Sequence, residues 1–140
     1  MHKTKLAESN FASLAAMMAA YAEEAVRVAW HDHRRRLDLT EASVDLLEQI
    51  LDGQSAEDLD FQTRLWGSYF GEVIRRRFAG EWELAQYPGG GVAAVPTLLV
   101  GGSRLFPLIK VYRRLTLGKG ENLSDFYQMV AARLLAPPAN

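Results

Sequence analysis

The chain has 140 residues, 49% of them hydrophobic and 24% charged, the balance of a folded domain and not of a disordered one. Sixteen basic against seventeen acidic residues leave a net charge of -1, so a surface built to neutralise nucleic-acid phosphates is not expected. Without a single cysteine there are no disulfides, thiolate zinc sites or cysteine nucleophiles, which fits a reducing, cytoplasmic setting.

Residues 5 to 36 contain neither proline nor glycine and read as one long helix. Leu14, Met17 or Met18, Tyr21, Ala25, Val28 and Ala29 form its apolar stripe at three-to-four spacing. Glu23 and Arg27 stand four apart as a pair on the wet face, and Arg34 to Arg36 crowd the last turn. His2, Lys3 and Lys5 ahead of the uncharged run Phe11 to Ala22, which ends Ala20-Tyr21-Ala22, loosely imitate a secretory leader. Glu8, Ser9 and Asn10 interrupt that pattern and the run is mostly alanine, so the leader reading is disfavoured. No stretch approaches the ~20 apolar residues that span a bilayer.

Thr40 reads as the N-cap of a second helix with Val44, Leu47, Ile50 and Leu51 buried and Gly53 as its stop. Ser55 and Asp58 approximate a capping box for a third helix from about Ala56 to Ala79, with Gly80 as a left-handed C-cap. Trp82, Leu84 and Ala85 then mark a strand, Pro88 to Gly91 a loop, and Val95 to Val100 a second strand. Gly101-Gly102 signals a tight hairpin turn into a returning strand at Arg104 to Phe106. Pro107 opens a helix carrying Leu108, Val111, Tyr112 and Leu115, broken by Gly118 and Gly120. Asn122 or Ser124 caps a last helix with Phe126, Met129, Val130, Leu134 and Leu135, ended by Pro137-Pro138.

Helices segregated from strands joined by short turns make an α+β fold: three N-terminal helices, an antiparallel meander of about three strands, and two C-terminal helices. Residues 1 to 140 read as one domain, with a helical hairpin over 5 to 53 and the rest of the core over 56 to 136.

The candidate chemistry is sparse. His31-Asp32-His33 lies on a helix, where residues two apart point about 200° apart and cannot share an ion, so no metal and no cofactor is expected. Glu24 and His31, seven apart, share a face, but no HExxH spacing accompanies them. Three arginine clusters, Arg34 to Arg36, Arg75 to Arg77 and Arg113-Arg114, each fall near a helix end; dipole compensation is the favoured reading, and an anion-holding patch follows only if they converge. Neither Pro88 to Gly91 nor Gly101-Gly102 stands in a phosphate-cradling motif, and no GxSxG occurs. Within Trp66 to Trp82, Gly67 and Gly71 share a helix face with Ile74 and Phe78, a spacing that admits a close neighbour. Glu72, beside that face, is expected to be partly buried and paired with Arg76 or with an arginine of the last helices, as a structural group in preference to an acid or base.

Tyr69-Phe70-Gly71-Glu72-Val73, Gly80-Glu81-Trp82, Phe106-Pro107 with Lys110-Val111, and Phe126-Tyr127 together resemble a group of small bacterial α+β proteins, a domain of unknown function, over roughly residues 60 to 134. The resemblance implies a bacterial, cytosolic α+β domain and supplies no catalytic residues. The functional expectation is a non-enzymatic protein-interaction module of immunity or regulatory type, acting on a protein partner or by self-association into a homodimer. Its anchors would be Trp66, Tyr69, Trp82, Tyr87 and Arg76, residue types that dominate interface hot spots. The alternative is a small-molecule or anion-binding domain whose cleft is lined by arginines such as Arg113. An enzyme using Glu72 comes last, and neither nucleic acid nor membrane is an expected partner.

Overall fold

Three helices, a hairpin-linked sheet and two further helices follow one another in a computed structural model that describes Leu6 and residues 10–55, 57–89 and 93–136. The helices are α1 (Leu14–His33), α2 (Ser43–Asp52), α3 (Leu59–Phe78), α4 (Pro107–Leu117) and α5 (Leu123–Leu135); a 3-10 turn, Lys119–Glu121, joins the last two. Strands β1 (Glu81–Gln86), β2 (Ala94–Val100) and β3 (Ser103–Leu105) form one antiparallel sheet in the order β1-β2-β3. The fold is α+β, as expected. Ala56, Gly90, Gly91 and the Pro137-Pro138 stop lie outside the described residues, as do most of the residues preceding Asn10.

Helix ends follow from local chemistry, and several differ from expectation. The first helix does not run over 5 to 36: residues 10 to 13 are non-helical, and the Ser13 hydroxyl accepts from the Ala16 N–H to open α1. It closes at His33 because Arg34 takes a left-handed conformation, with the Arg35 N–H donating to the Ala29 carbonyl. Arg34 and Arg36 therefore sit beyond the last turn, their guanidinium groups 5.2 and 4.4 Å from the Trp30 ring. Arg27 pairs with Glu24, three residues away, and not with Glu23. Thr40 does not cap α2 with its side chain; Asp38 accepts from both the Thr40 N–H and hydroxyl to shape the approach. At the end of α3 the left-handed residue is Ala79, one before Gly80. Gly80 is needed for space instead, since a Cβ there would stand 3.3 Å from two Leu98 side-chain carbons.

The core is assembled around α3. From Leu65 to Ile74 every residue of this helix is buried, so it is covered on all sides. Met18, Tyr21, Ala22, Ala25 and Ala29 of α1 are buried against one side, and the small alanines permit a close approach. On the other side α4 comes closer still. A Cβ on Gly67 would lie 2.8 Å from the Leu108 Cα, and one on Gly71 would lie 2.2 and 2.5 Å from two atoms of the Trp82 indole. The glycine pair thus serves two partners, a helix backbone and a strand side chain. In the sheet, Trp82, Leu98 and Leu105 stand opposite one another across all three strands on the face turned to the helices. Pro96, which has no N–H, lies in the half of β2 that β3 does not reach.

A second tie is ionic. Arg114 of α4 is 4% exposed and donates to both Glu48 oxygens (3.1 and 2.9 Å) and to Asp52 (2.8 Å). The Glu48 carboxylate also accepts from the Leu123 N–H at the start of α5 (2.9 Å). One buried cation thereby joins α2, α4 and the first turn of α5.

Gly71→Ala should cost about 1–3 kcal/mol in urea unfolding through overpacking against Trp82, whereas Gly120→Ala, with nothing within 4 Å, should be close to neutral. Arg114→Met should cost about 2–3 kcal/mol in the same measurement, because half-buried Glu48 would lose its cation; a loss below about 1 kcal/mol would show that the network contributes little.

Candidate functional site

The residues singled out in the sequence divide into three groups. Trp66 and Tyr69 are 1% and 0% exposed and belong to the core. Trp66 meets the His33 ring edge-on at 6.2 Å, and the Tyr69 hydroxyl accepts from the Leu39 N–H at 2.8 Å. Because the Ser43 hydroxyl donates to the Thr40 carbonyl, the 2.7 Å bond between Ser43 and Tyr69 carries the tyrosine proton. The Leu39 N–H that donates to the Tyr69 hydroxyl belongs to a residue in the left-handed conformation (φ 65°) at the entry to α2. Burial raises the Tyr69 hydroxyl above its ordinary pKa.

Glu72 and Trp82 form the second group. The Glu72 carboxylate is buried and takes three hydrogen bonds: Arg75 Nε at 2.6 Å, a second Arg75 nitrogen at 3.1 Å, and Trp82 Nε1 at 2.8 Å. The expected partner of Glu72 is Arg76 or an arginine of the last helices, and neither is the one observed. Arg75, three residues on and not four, reaches it instead, while Arg76 is exposed and borders two cavities of about 170 and 550 Å³ near Leu39. With both oxygens engaged, Glu72 orients the indole that fills the space beside Gly71.

The arginine clusters do not converge. Arg75 is taken by Glu72, Arg77 by Glu41 at 3.4 Å, Arg113 by Glu121 and Arg114 by Glu48 and Asp52. His31 and His33 also part company: His31 Nδ1 meets Asp32 at 2.6 Å in solvent, whereas His33 Nε2 meets Gln54 at 3.1 Å. Among the described residues no group of three or more histidines and carboxylates is placed to hold a metal, and no helix is long and apolar enough to cross a membrane.

Tyr87 and Arg113 do come together, in a cleft that four short-range signals build. The Gly101-Gly102 turn, with φ of 57° and 78°, sends β3 back along β2. Pro107 then starts α4 directly after Phe106, whose ring meets Tyr87 edge-on with centroids 4.9 Å apart. Gly118 (φ 90°) ends α4, so the 3-10 turn brings Glu121 back beneath it, and the Asn122 side chain accepts from the Asp125 N–H to cap α5 and set Phe126 in place. Between these elements is a cavity of about 300 Å³ with Tyr87, Phe106, Ile109 and Phe126 as its apolar walls and Lys110 and Arg113 at its rim. A second cavity of about 150 Å³ shares Leu105 and Phe126 with it and continues past Met129 to Arg133 and Leu134. Phe106, Phe126 and Met129 were read in the sequence as strand or core residues; only the return of β3 beside α5 makes them a cleft.

The electrostatics centre on Glu121. Arg113 meets both of its oxygens (3.0 and 3.2 Å) and Lys110 one of them (3.0 Å), so two cations share one carboxylate. Lys110 also lies over the Phe126 ring at 5.3 Å. The Arg113 hydrogen bonds first and the Lys110 one second hold the Glu121 carboxyl down at about 2. Its ordinary value is 4.5, so the unfolded chain takes up the proton more readily than the folded one. The stabilisation is therefore complete above about pH 4.5 and disappears as pH falls towards 2. Glu121→Gln should lower the urea midpoint at pH 7, and the gap to the parent should close across that acid window; a gap that stays constant would show that the ion pairs contribute nothing.

No family model matches the chain, and neither a curated protein nor a solved structure matches it.

Proposed function

We propose that this protein is a single-domain, non-catalytic interaction module whose contact surface is the double cleft between β3, α4 and α5. The observation that carries this reading is the adjacency of two apolar cavities, which share Leu105 and Phe126 as walls, beside Arg104, Lys110, Arg113 and Arg133. Apolar hollows edged by cations suit a partner that inserts side chains and presents negative charge. Met129, 54% exposed at the second cavity, adds a side chain that adapts to different occupants. The engagement of Glu72 in three hydrogen bonds supports the non-catalytic part, since a carboxylate held in this way is poorly placed to exchange protons with a substrate. A small anionic ligand in the larger cavity is the weaker reading, because about 300 Å³ is at the lower limit for such sites and the cleft runs on beyond it.

Selection of a displayed random-peptide library on the immobilised protein tests the proposal. The expected result is an enriched consensus that binds the parent and is lost on the double variant Arg113→Glu/Arg133→Glu. Both positions are exposed, and the variant's circular dichroism should match the parent's, while its melting point should fall because Glu121 loses Arg113 and faces a second carboxylate. No enrichment, or a consensus that the double variant still binds, would overturn the reading.

A further inference from the structure

We propose that the open edge of β3 accepts an extended acidic peptide as a fourth strand, paired through the Arg104 backbone. The proposal rests on the cleft being the contact surface and names the class of occupant. Its first support is register. A two-residue turn at Gly101-Gly102 makes Val100 and Ser103 the closing hydrogen-bonded pair of the hairpin. Hydrogen-bonded and non-hydrogen-bonded pairs alternate, so Leu98 and Leu105 are bonded and Leu99 and Arg104 are not. The Arg104 N–H and C=O therefore point away from β2, towards the side where the sheet has no further strand among the described residues. Unused groups on an edge strand are a template for an incoming backbone.

The second support is where the cavities lie. Ser103 and Leu105, on one face of β3, and Arg104, on the other, all line the cleft, which places it along the edge of the strand. A strand laid there turns alternate side chains to the same face. The two cavities, meeting at Leu105, are placed to take apolar side chains two residues apart. The third support is charge. Lys110 and Arg113 share Glu121, leaving one positive charge over, and Arg133 has no ion-pair partner among the described residues. Arg104 is paired with Glu83 on the outer face of the sheet at 2.7 Å, with its side chain 59% exposed. An occupant with carboxylates between its apolar residues matches this rim.

The probe is a fluorescein-labelled heptapeptide alternating leucine with aspartate or glutamate, followed by anisotropy with the intact chain. Three companions are measured with it: a version with lysine in place of the acids, a series N-methylated at one position at a time, and the Arg113→Glu/Arg133→Glu protein. The acidic peptide should bind, and rising salt should weaken it. The lysine version should not bind, and the double variant should bind the acidic peptide about tenfold less tightly. Methylation of the one nitrogen opposite Arg104 should weaken binding about tenfold, while methylation of its neighbours, whose N–H groups point away, should have little effect. A flat methylation profile, equal binding of the lysine peptide, or no binding of the acidic peptide overturns the proposal. So does light scattering that shows a dimer abolished by Arg133→Glu, which would make a second copy the occupant. Library enrichment without acidic alternation sinks this proposal alone; no enrichment at all sinks the interaction reading with it.

Discussion

The seating of the Trp82 indole against Gly71 is the contact on which the rest of the structure depends. A three-stranded sheet with one short edge strand is stabilised by burying its apolar face, and here that face is fastened to a helix. α3 provides the place by omitting a side chain at Gly71, and the carboxylate of the next residue, Glu72, fixes the ring by accepting its N–H. Arg75 balances the charge of that carboxylate within the same helix. Shape, hydrogen bond and ion pair converge on a single tryptophan. Once it is placed, the ladder from Trp82 through Leu98 to Leu105 positions the whole sheet.

The sheet in turn positions the cleft. Among the described strands β3 pairs only with β2, and Phe106 leaves it just where α4 begins, so the strand ends facing α5 across a gap. That gap is kept open by residues with other duties. Phe126 packs on Phe70 of the central helix at 6.0 Å while forming a wall, and Glu121 is pinned from above by Lys110 and Arg113. The floor therefore belongs to the core, and the rim to the surface.

Much of the framework is legible in local signals. The Gly101-Gly102 turn, Pro107 at a helix start, Asn122 as a cap and the close contact at Gly67 and Gly71 each follow from one residue's conformational or steric peculiarity, which acts over short distances. What escaped was decided by partners far away in the chain. Arg114 reads as half of a helix-end cluster, yet its neighbour Arg113 is exposed and Arg114 is buried against residues 62 and 66 positions earlier. Tyr69 reads as a surface anchor because nothing local announces Leu39 and Ser43 as partners for its hydroxyl. For Glu72 the expected burial and pairing occur, but α3 bends its carboxylate to Arg75 and the sheet supplies Trp82, a choice between turns of a helix that spacing alone leaves open. The cleft is hidden for the same reason: Tyr87, Phe106 and Phe126 each stand out singly, and nothing local puts them side by side until the hairpin does.

The Arg114 network also bears on how the chain is made. Glu48 and Asp52 leave the ribosome long before Arg114 and Leu123, the groups that complete them. Until Arg114 has been synthesised, Glu48 and Asp52 lack the cation that the fold gives them. The polar side of α2 is therefore completed only when α4 and the first turn of α5 supply Arg114 and the Leu123 N–H.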